Sequence, residues 1–308
     1  MQRELPPLIA ILGPTACGKS DLAMMIARRF GCEILNADSR QIYREMEIGT
    51  AKPTELERRQ IPHHLLDVVS PAETFSAGEY ARLGRAVLAN LWAEKKLPLL
   101  VGGTGFYFEA LTAGLPDVAV DNEIRHRLQE MLDMDGLPAL VDELRRIDPF
   151  AAGAIDISNP RRVMRALEII HATGRPLADA RSGGSVLQAR VLPIVVGFPR
   201  DILRERIEGR IEKMLASGLR DEVGRLREVY DWSVPGMQAI GYAEWREFFR
   251  GEADLEETAE RINIHTRQYA KRQMTWFKRR PGGEPVDLSM PNAADHVAGL
   301  VESFLFGA

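Results

Sequence analysis

Cysteine is scarce: Cys17 and Cys32 are the only two in 308 residues. Two isolated thiols exclude a disulfide framework and a Cys/His metal module. Long apolar runs are also missing. None approaches the ~20 residues that a bilayer-spanning helix needs, so no membrane partner is expected. Met1–Pro7 has no apolar stretch of the secretory kind, and a reduced, cytoplasmic protein is the expectation. There is no large excess of charge of one sign either: 40 Lys and Arg stand against 44 Asp and Glu, for a net charge of −4. That balance excludes a generally basic nucleic-acid binder but leaves room for a local basic face. What remains is an ordinary globular composition, 45% hydrophobic and 27% charged, long enough for one large α/β domain with an insertion, or for two domains.

The most informative stretch present is Gly13-Pro14-Thr15-Ala16-Cys17-Gly18-Lys19-Ser20, which has the spacing G-x-x-x-x-G-K-S. It follows the apolar run Leu8–Leu12 and precedes a helical pattern with Leu22, Ile26 and Phe30 on one face. In that strand–loop–helix setting the glycines let backbone N–H groups wrap a phosphate. Lys19 adds a mobile cation, and the Ser20 hydroxyl suits Mg2+. Cys17 takes a variable position of the loop, as a small filler. Three more apolar runs, Glu33–Ala37, Leu97–Val101 and Val191–Phe198, read as buried parallel strands with helices between them. The expected fold is a P-loop NTPase-like, doubly wound parallel sheet, with the loop at the carboxyl end of its first strand.

From Pro116 to Gly184 the strand signal disappears. Asp121 is placed to cap a helix carrying Ile124, Leu128, Met131 and Leu132, and Asn159-Pro160 starts another. A helical insertion over residues 117–183 is expected, within a core made of 1–116 and 184–308. Gly183-Gly184-Ser185 marks the return to the sheet, and after the fourth strand the chain reads as helical to its end. Arg161, Arg162 and Arg165 share one side of the second inserted helix. With Arg125 they could form either a phosphate-tracking face or a solvated one.

Asp38 follows the second strand and faces the same crevice as the loop, where a carboxylate can hold a cation or take a proton. The third strand ends instead in Gly102-Gly103-Thr104-Gly105, with no acid. Many P-loop NTPases place a magnesium-directed carboxylate there, so its lack weakens a generic ATPase reading. Arg206 and Arg210 lie four apart on a later helix, suited to oxygens of a leaving phosphate, or simply to solvent. The stretch Arg267–Arg280 has six basic residues interleaved with Tyr269, Trp276 and Phe277, a composition fitted both to RNA and to a packed helix with wet basic side chains. His63-His64 would diverge in an extended segment and reads as structural.

Taken in order, these segments resemble the bacterial-type tRNA dimethylallyltransferase, or tRNA isopentenyltransferase, family. The resemblance rests on Gly13–Ser20, Asp38–Tyr43, Ile48–Pro53, Pro62–Asp67, Leu100–Thr104 with Tyr107, Asn159–Glu168, Met214–Gly218, Gln238–Tyr242 and Lys271–Trp276. It implies transfer of a dimethylallyl group from dimethylallyl diphosphate to N6 of adenosine 37, in tRNAs reading codons that begin with U. Mg2+ is the implied cofactor, and a monomer is expected. By that resemblance Asp38 is the general base, and Thr15, Lys19 and Arg210 act on the diphosphate held by residues 13–20. Ser39, Arg40, Gln41 and Thr104 meet the target nucleotide. Arg125 and the run Arg161, Arg162, Val163, Met164 and Arg165 touch the anticodon stem. Gln238 stands where some members carry arginine. The loop would also admit ATP. An adenylate isopentenyltransferase shares the core motifs but needs no inserted arginine face, a P-loop kinase would transfer a γ-phosphate, and a nucleotide-switched RNA-binding protein would not need the Asp38 carboxylate.

Overall fold

A computed structural model describes residues 5–115, 121–180, 184–279 and 282–307. Two compact units divide the chain: Met1–Leu111 with Gln188–Ala308, and Thr112–Leu187. The expected boundary residues 116–120 and 181–183, Gly183 among them, lie outside the described residues, as do Arg280 and the first four positions.

The first unit is built on a six-stranded parallel sheet in the order β3 (His63–His64), β2 (Cys32–Asn36), β4 (Leu97–Gly102), β1 (Pro7–Leu12), β5 (Arg190–Gly197), β6 (Glu284–Asp287). Its central strand β1 (Pro7–Leu12) lies between β4 (Leu97–Gly102) and β5 (Arg190–Gly197), and β2 (Cys32–Asn36) pairs outside β4. Leu8 to Leu12 are almost completely buried. Covered on both faces, such a strand must be apolar throughout, which is why the run does not alternate. The chain leaves β1 toward β2 on one side and returns to its other side as β5. The carboxyl ends of β1, β4 and β2 therefore border one crevice. Two outer strands lack an apolar run and were not expected: β3 (His63–His64), paired with β2, and β6 (Glu284–Asp287), paired with β5. The chain after β5 is therefore not helical throughout, as the sequence alone suggested.

Helix α1 (Lys19–Phe30) starts at Gly18 (φ 77°) and stops at Gly31 (φ 67°), both in the left-handed region that favours glycine. The Ser76/Glu79 capping box starts α3 (Ala77–Ala93). Between them α2 (Glu55–Gln60) has its own box at Thr54 and Glu57.

The second unit is helical. It holds α5 (Asn122–Ile147), broken at Gly136 (φ 76°) two residues before Pro138, then α6 (Pro149–Ala154), α7 (Pro160–Thr173) and α8 (Leu177–Ala180). Leu128, Leu140, Leu144, Val163, Ala166 and Leu167 form its core, with Ile124, Met131 and Leu132 packed against it. The Asp148 carboxylate caps two helix starts, accepting from Ala151 N at 2.9 Å and Leu177 N at 2.8 Å.

One buried carboxylate organises the irregular segment after β2. Glu222, on α10 (Leu219–Val229), accepts hydrogen bonds from the amides of Glu47 (3.0 Å), Ile48 (2.8 Å) and Gly49 (3.2 Å) and from the Tyr242 hydroxyl (2.6 Å). A Cβ on Gly49 would sit 2.5 Å from the Tyr242 ring, so only glycine fits. Lys52 has a fully buried side chain and binds the Tyr43 carbonyl at 2.6 Å, Glu47 at 3.0 Å and Asp67. Burial alone would raise the Asp67 pKa, but Lys52 and Arg58 bring it below the usual carboxylate value. Glu222→Ala would leave three amides and a hydroxyl without their acceptor. A loss of about 3 kcal/mol or more is expected, with a fall in Tm of several degrees; an unchanged Tm in calorimetry would deny the carboxylate this role.

Candidate active site

The phosphate loop has its shape before any ligand arrives. A Cβ on Gly13 would lie 2.3 Å from the Val196 carbonyl, so the chain can leave β1 along β5 only as glycine. Ala16 (φ 61°) and Gly18 (φ 77°) both adopt left-handed conformations that turn the backbone into a nest. Cys17 is completely buried, as a filler would be. Lys19 Nζ donates to the carbonyl of Pro14 at 3.0 Å, folded back on its own loop. Arg206, on α9 (Arg200–Ala216), donates from Nε to the Ala16 carbonyl at 2.9 Å and lies 4.6 Å from the centre of the Phe198 ring. It is therefore tied to the loop rather than paired along its helix; there Arg204 and Glu208 form the ion pair.

Asp38 sits in a closed turn just beyond β2. Its Oδ1 accepts from Arg40 N at 2.9 Å, while its own amide donates to Asn36 Oδ1 at 3.1 Å. The Asn36 side chain is held in turn by the Leu65 carbonyl at 3.0 Å. The carboxylate is thus aimed by one oxygen, and the other takes no hydrogen bond from the described residues. Thr104 locks the next residue: its Oγ1 accepts from Ser39 N at 2.9 Å, and its amide donates to the Ala37 carbonyl at 3.1 Å. That closeness requires Gly102, whose Cβ would overlap the same carbonyl at 2.1 Å. Gln41 donates through Nε2 to the carbonyls of Thr50 (3.2 Å) and Ala51 (3.0 Å), which leaves its Oε1 as an acceptor.

These pieces border one cleft of about 460 Å³, lined among others by Thr15, Lys19, Ser20, Asp38, Gln41 and Arg210. Burial lowers the Arg210 pKa from its usual value, with the Asp38 charge opposing the shift. Tyr269, on α12 (Leu255–Lys278), lies close enough to Asp38 and Thr104 to feel both. Burial pushes its phenol up to about 12, and the Asp38 charge adds to this. The phenol is neutral at physiological pH and can donate.

The site also includes residues whose role the sequence did not assign. Gln273 on α12 accepts from Thr15 N at 2.9 Å and donates to the Gly103 carbonyl at 2.8 Å. Trp276 covers Gly105, where a Cβ would lie 2.2 Å from its ring. The only hint was their place in a motif among basic residues. Ala270 and Phe277 are buried on that helix while Lys271, Arg272, Lys278 and Arg279 are exposed, so its apolar stripe packs and its cations stay wet.

A cation would find incomplete ligation from the protein. The Ser20 hydroxyl and the Asp38 carboxylate line the same cleft, but the described residues contain no cluster of three His, Cys, Asp or Glu able to hold a metal ion. Such an oxygen set fits Mg2+ that arrives with phosphate oxygens, because that ion commonly takes one or two protein oxygens, the substrate phosphate and water. Both histidines lie on the outer strand β3, and His63 also lines the cleft. His63 Nδ1 lies 2.7 Å from the Ile61 carbonyl and burial lowers its pKa, while His64 Nε2 pairs with Glu33 at 2.7 Å.

In the helical unit Arg161, Arg162 and Arg165 are exposed on α7. Arg162 reaches Asp156 at 3.6 Å, and Glu168 serves both Arg165 (2.9 Å) and Arg125 (3.8 Å). Val163 requires a correction: its side chain is wholly buried in the helical core and has no surface to offer a nucleic acid. Met164 is half-buried against the same core. Gln238 is exposed, with a long 3.4 Å bond from Nε2 to the Trp232 carbonyl.

Comparison with known proteins agrees with this geometry. The family model described as IPP transferase matches residues 41–280. A tRNA dimethylallyltransferase of Roseiflexus castenholzii is 44% identical over 298 residues, covering 96% of this chain and 97% of the relative. One from Shouchella clausii is 41% identical over 307 residues, covering 98% and 97%. Among solved structures, the tRNA isopentenylpyrophosphate transferase of Bacillus halodurans superposes with a TM-score of 0.70 at 37% identity, covering 97% of this chain and 98% of the other. A eukaryotic dimethylallyltransferase acting on tRNA gives a TM-score of 0.84 at 26% identity, covering 98% and 80%. With a phosphate loop facing a carboxylate across one cleft, and relatives matched over nearly their whole length, the chain belongs to the IPP transferase family.

Proposed function

We propose that this protein is a tRNA dimethylallyltransferase, joining the dimethylallyl group of dimethylallyl diphosphate to N6 of adenosine 37 in tRNAs that read codons beginning with U. The observation that carries the reading is the pairing of Asp38 with the phosphate loop in one cleft, opposite a β4 end that has glycines and Thr104 instead of an acid. A γ-phosphate-transferring enzyme would keep a carboxylate there for its metal. Here the loop holds a leaving group.

The chemistry follows from the residues. An adenine amine is a weak nucleophile, so positive charge on N6 has to be removed as it attacks. The free Asp38 oxygen accepts that proton while Arg40 N–H holds the other oxygen in place. The new bond joins N6 to the allylic C1, and the C1–O bond breaks with its electron pair leaving on diphosphate. Lys19 exchanges the Pro14 carbonyl for a phosphate oxygen, and Thr15, Arg210 and the loop amides take up the rest of the charge. Mg2+, held by the Ser20 hydroxyl together with the diphosphate, would supply further neutralisation of the leaving group.

On the acceptor side Ser39, Gln41 and Thr104 are fixed by backbone bonds before the base arrives, and Arg40 is exposed beside them. Adenosine 37 must leave its stack to reach Asp38. Arg125, Arg161, Arg162 and Arg165 then engage the phosphates of the anticodon stem, with Met164 and Gln238 as lesser contacts. The ion pairs of Arg125 and Arg165 with Glu168 and of Arg162 with Asp156 leave the arginine side chains about half-exposed or more, and pairs of that kind are weak enough to exchange for phosphate. The enzyme acts as a cytoplasmic monomer in this reading.

The direct test supplies labelled dimethylallyl diphosphate and Mg2+ with unmodified tRNA or, separately, with AMP. Label on tRNA is expected; label on AMP alone would assign a free-nucleotide enzyme. Asp38→Asn retains an acceptor for Arg40 N–H but cannot take the proton, so turnover should fall by about 10²–10⁴-fold while tRNA affinity stays near wild type. A wild-type rate would remove Asp38 from the base role. Arg162→Ala should weaken tRNA binding and lower its salt slope by about one, measured by titration at several ionic strengths. An unchanged slope would make that arginine a solvated surface residue.

A further inference from the structure

Helix α12 joins the two turns of the site through one side-chain amide. Gln273 is 6% exposed and lies between the two glycine-rich turns that follow β1 and β4. Its Oε1 accepts the Thr15 amide at 2.9 Å, and its Nε2 donates to the Gly103 carbonyl at 2.8 Å. The amide orientation is settled by chemistry, since one partner can only donate and the other can only accept. A carboxylate could make the first bond but not the second, and an ammonium the second but not the first. The fit leaves no slack: a Cβ on Gly103 would sit 2.3 Å from Nε2 and 3.0 Å from the Gly13 carbonyl.

We infer that Gln273 is a positioning residue, which holds the phosphate loop in its diphosphate-binding shape and fixes its distance from the Asp38 turn. Thr15 immediately precedes Ala16, the first of the two left-handed residues of the nest, with Gly18 the second, so the direction of its peptide sets where the following amides point. Gln273 takes the Thr15 N–H away from the cleft and leaves the later ones to a ligand. On its other side Gly103 precedes Thr104, whose hydroxyl accepts the Ser39 amide beside Asp38. One side chain therefore ties the leaving-group pocket to the turn that aims the base. A loop already in its bound shape spares the ligand the entropy of ordering it. The kinetic part of this inference rests on the proposed transfer reaction; the binding part does not.

The test compares wild type with Gln273→Met, which keeps length and packing but makes neither bond, and with Gln273→Glu, which keeps only the acceptor. Inorganic diphosphate binding is measured by calorimetry, and KM is measured separately for dimethylallyl diphosphate and for tRNA. Gln273→Met should weaken diphosphate binding and raise the donor KM by about tenfold or more, with the tRNA KM little changed. Gln273→Glu should not restore either value. Wild-type diphosphate affinity in Gln273→Met would overturn the inference and leave Gln273 as packing. Should that variant fail to fold, hydrogen exchange on the unaltered protein decides. The Thr15 amide should be protected without ligand, and exchange as fast as an open loop amide would refute the clamp. Loss of diphosphate affinity in the variant, in a protein whose wild type prenylates neither tRNA nor AMP, would uphold the clamp while removing the proposed reaction.

Discussion

Four strand ends meet in this protein at points where no Cβ can be accommodated. Gly13 abuts the Val196 carbonyl, Gly102 abuts the Ala37 carbonyl, and the amide of Gly13 donates to the carbonyl of Gly102 at 3.3 Å. Backbone packed this closely cannot be moved apart without breaking hydrogen bonds of the parallel sheet. The phosphate loop, the Asp38 turn and the Thr104 turn all start from this junction, so their spacing is inherited from the sheet. Side chains only refine it. The cost is sequence freedom: every alternative residue at Gly13, Gly102 or Gly103 runs into a carbonyl or a buried amide.

Charge is distributed to match. The chain as a whole is slightly acidic, yet Lys19, Arg206 and Arg210 converge on the loop end of the cleft, with Asp38 also on its wall. None of the three cations forms a close ion pair with a carboxylate among the described residues. Lys19 and Arg206 rest on backbone carbonyls, which hold them weakly enough to release them to an anion. The stronger ionic contacts lie away from the cleft's loop end. There Lys52, Arg58, Glu47 and Asp67 stiffen the segment that carries the carbonyls on which Gln41 rests.

Much of the fold could be read from the chain, for reasons that differ by element. The four inner strands are visible because burial on both faces makes them apolar runs. The helix starts at Ser76, Asp121 and Asn159 are visible because capping is a local interaction over two or three residues. The phosphate loop and Asp38 are visible for the same reason. The outer strands are not, since two and four residues with half their faces in solvent leave no pattern. Gln273 escaped because its partners are 258 and 170 positions away, and nothing local distinguishes it from the polar residues around it. Val163 illustrates the converse error. The resemblance carried over the whole run Arg161–Arg165, although α7 turns Val163 into its core and only the arginines share the outer side.

The outermost strands have a consequence for the behaviour of this sheet among other proteins. At one margin β3 is two residues long; at the other β6 is four, with Pro285 removing a backbone donor and Glu284 and Asp287 adding charge. An incoming chain seeking to extend the ladder would find too few free groups to pair with, and unfavourable electrostatics at the longer margin. A parallel sheet with strongly apolar inner strands is thereby kept from recruiting foreign strands, so its hydrophobic interior can be maximised without making the folded protein prone to edge-to-edge aggregation.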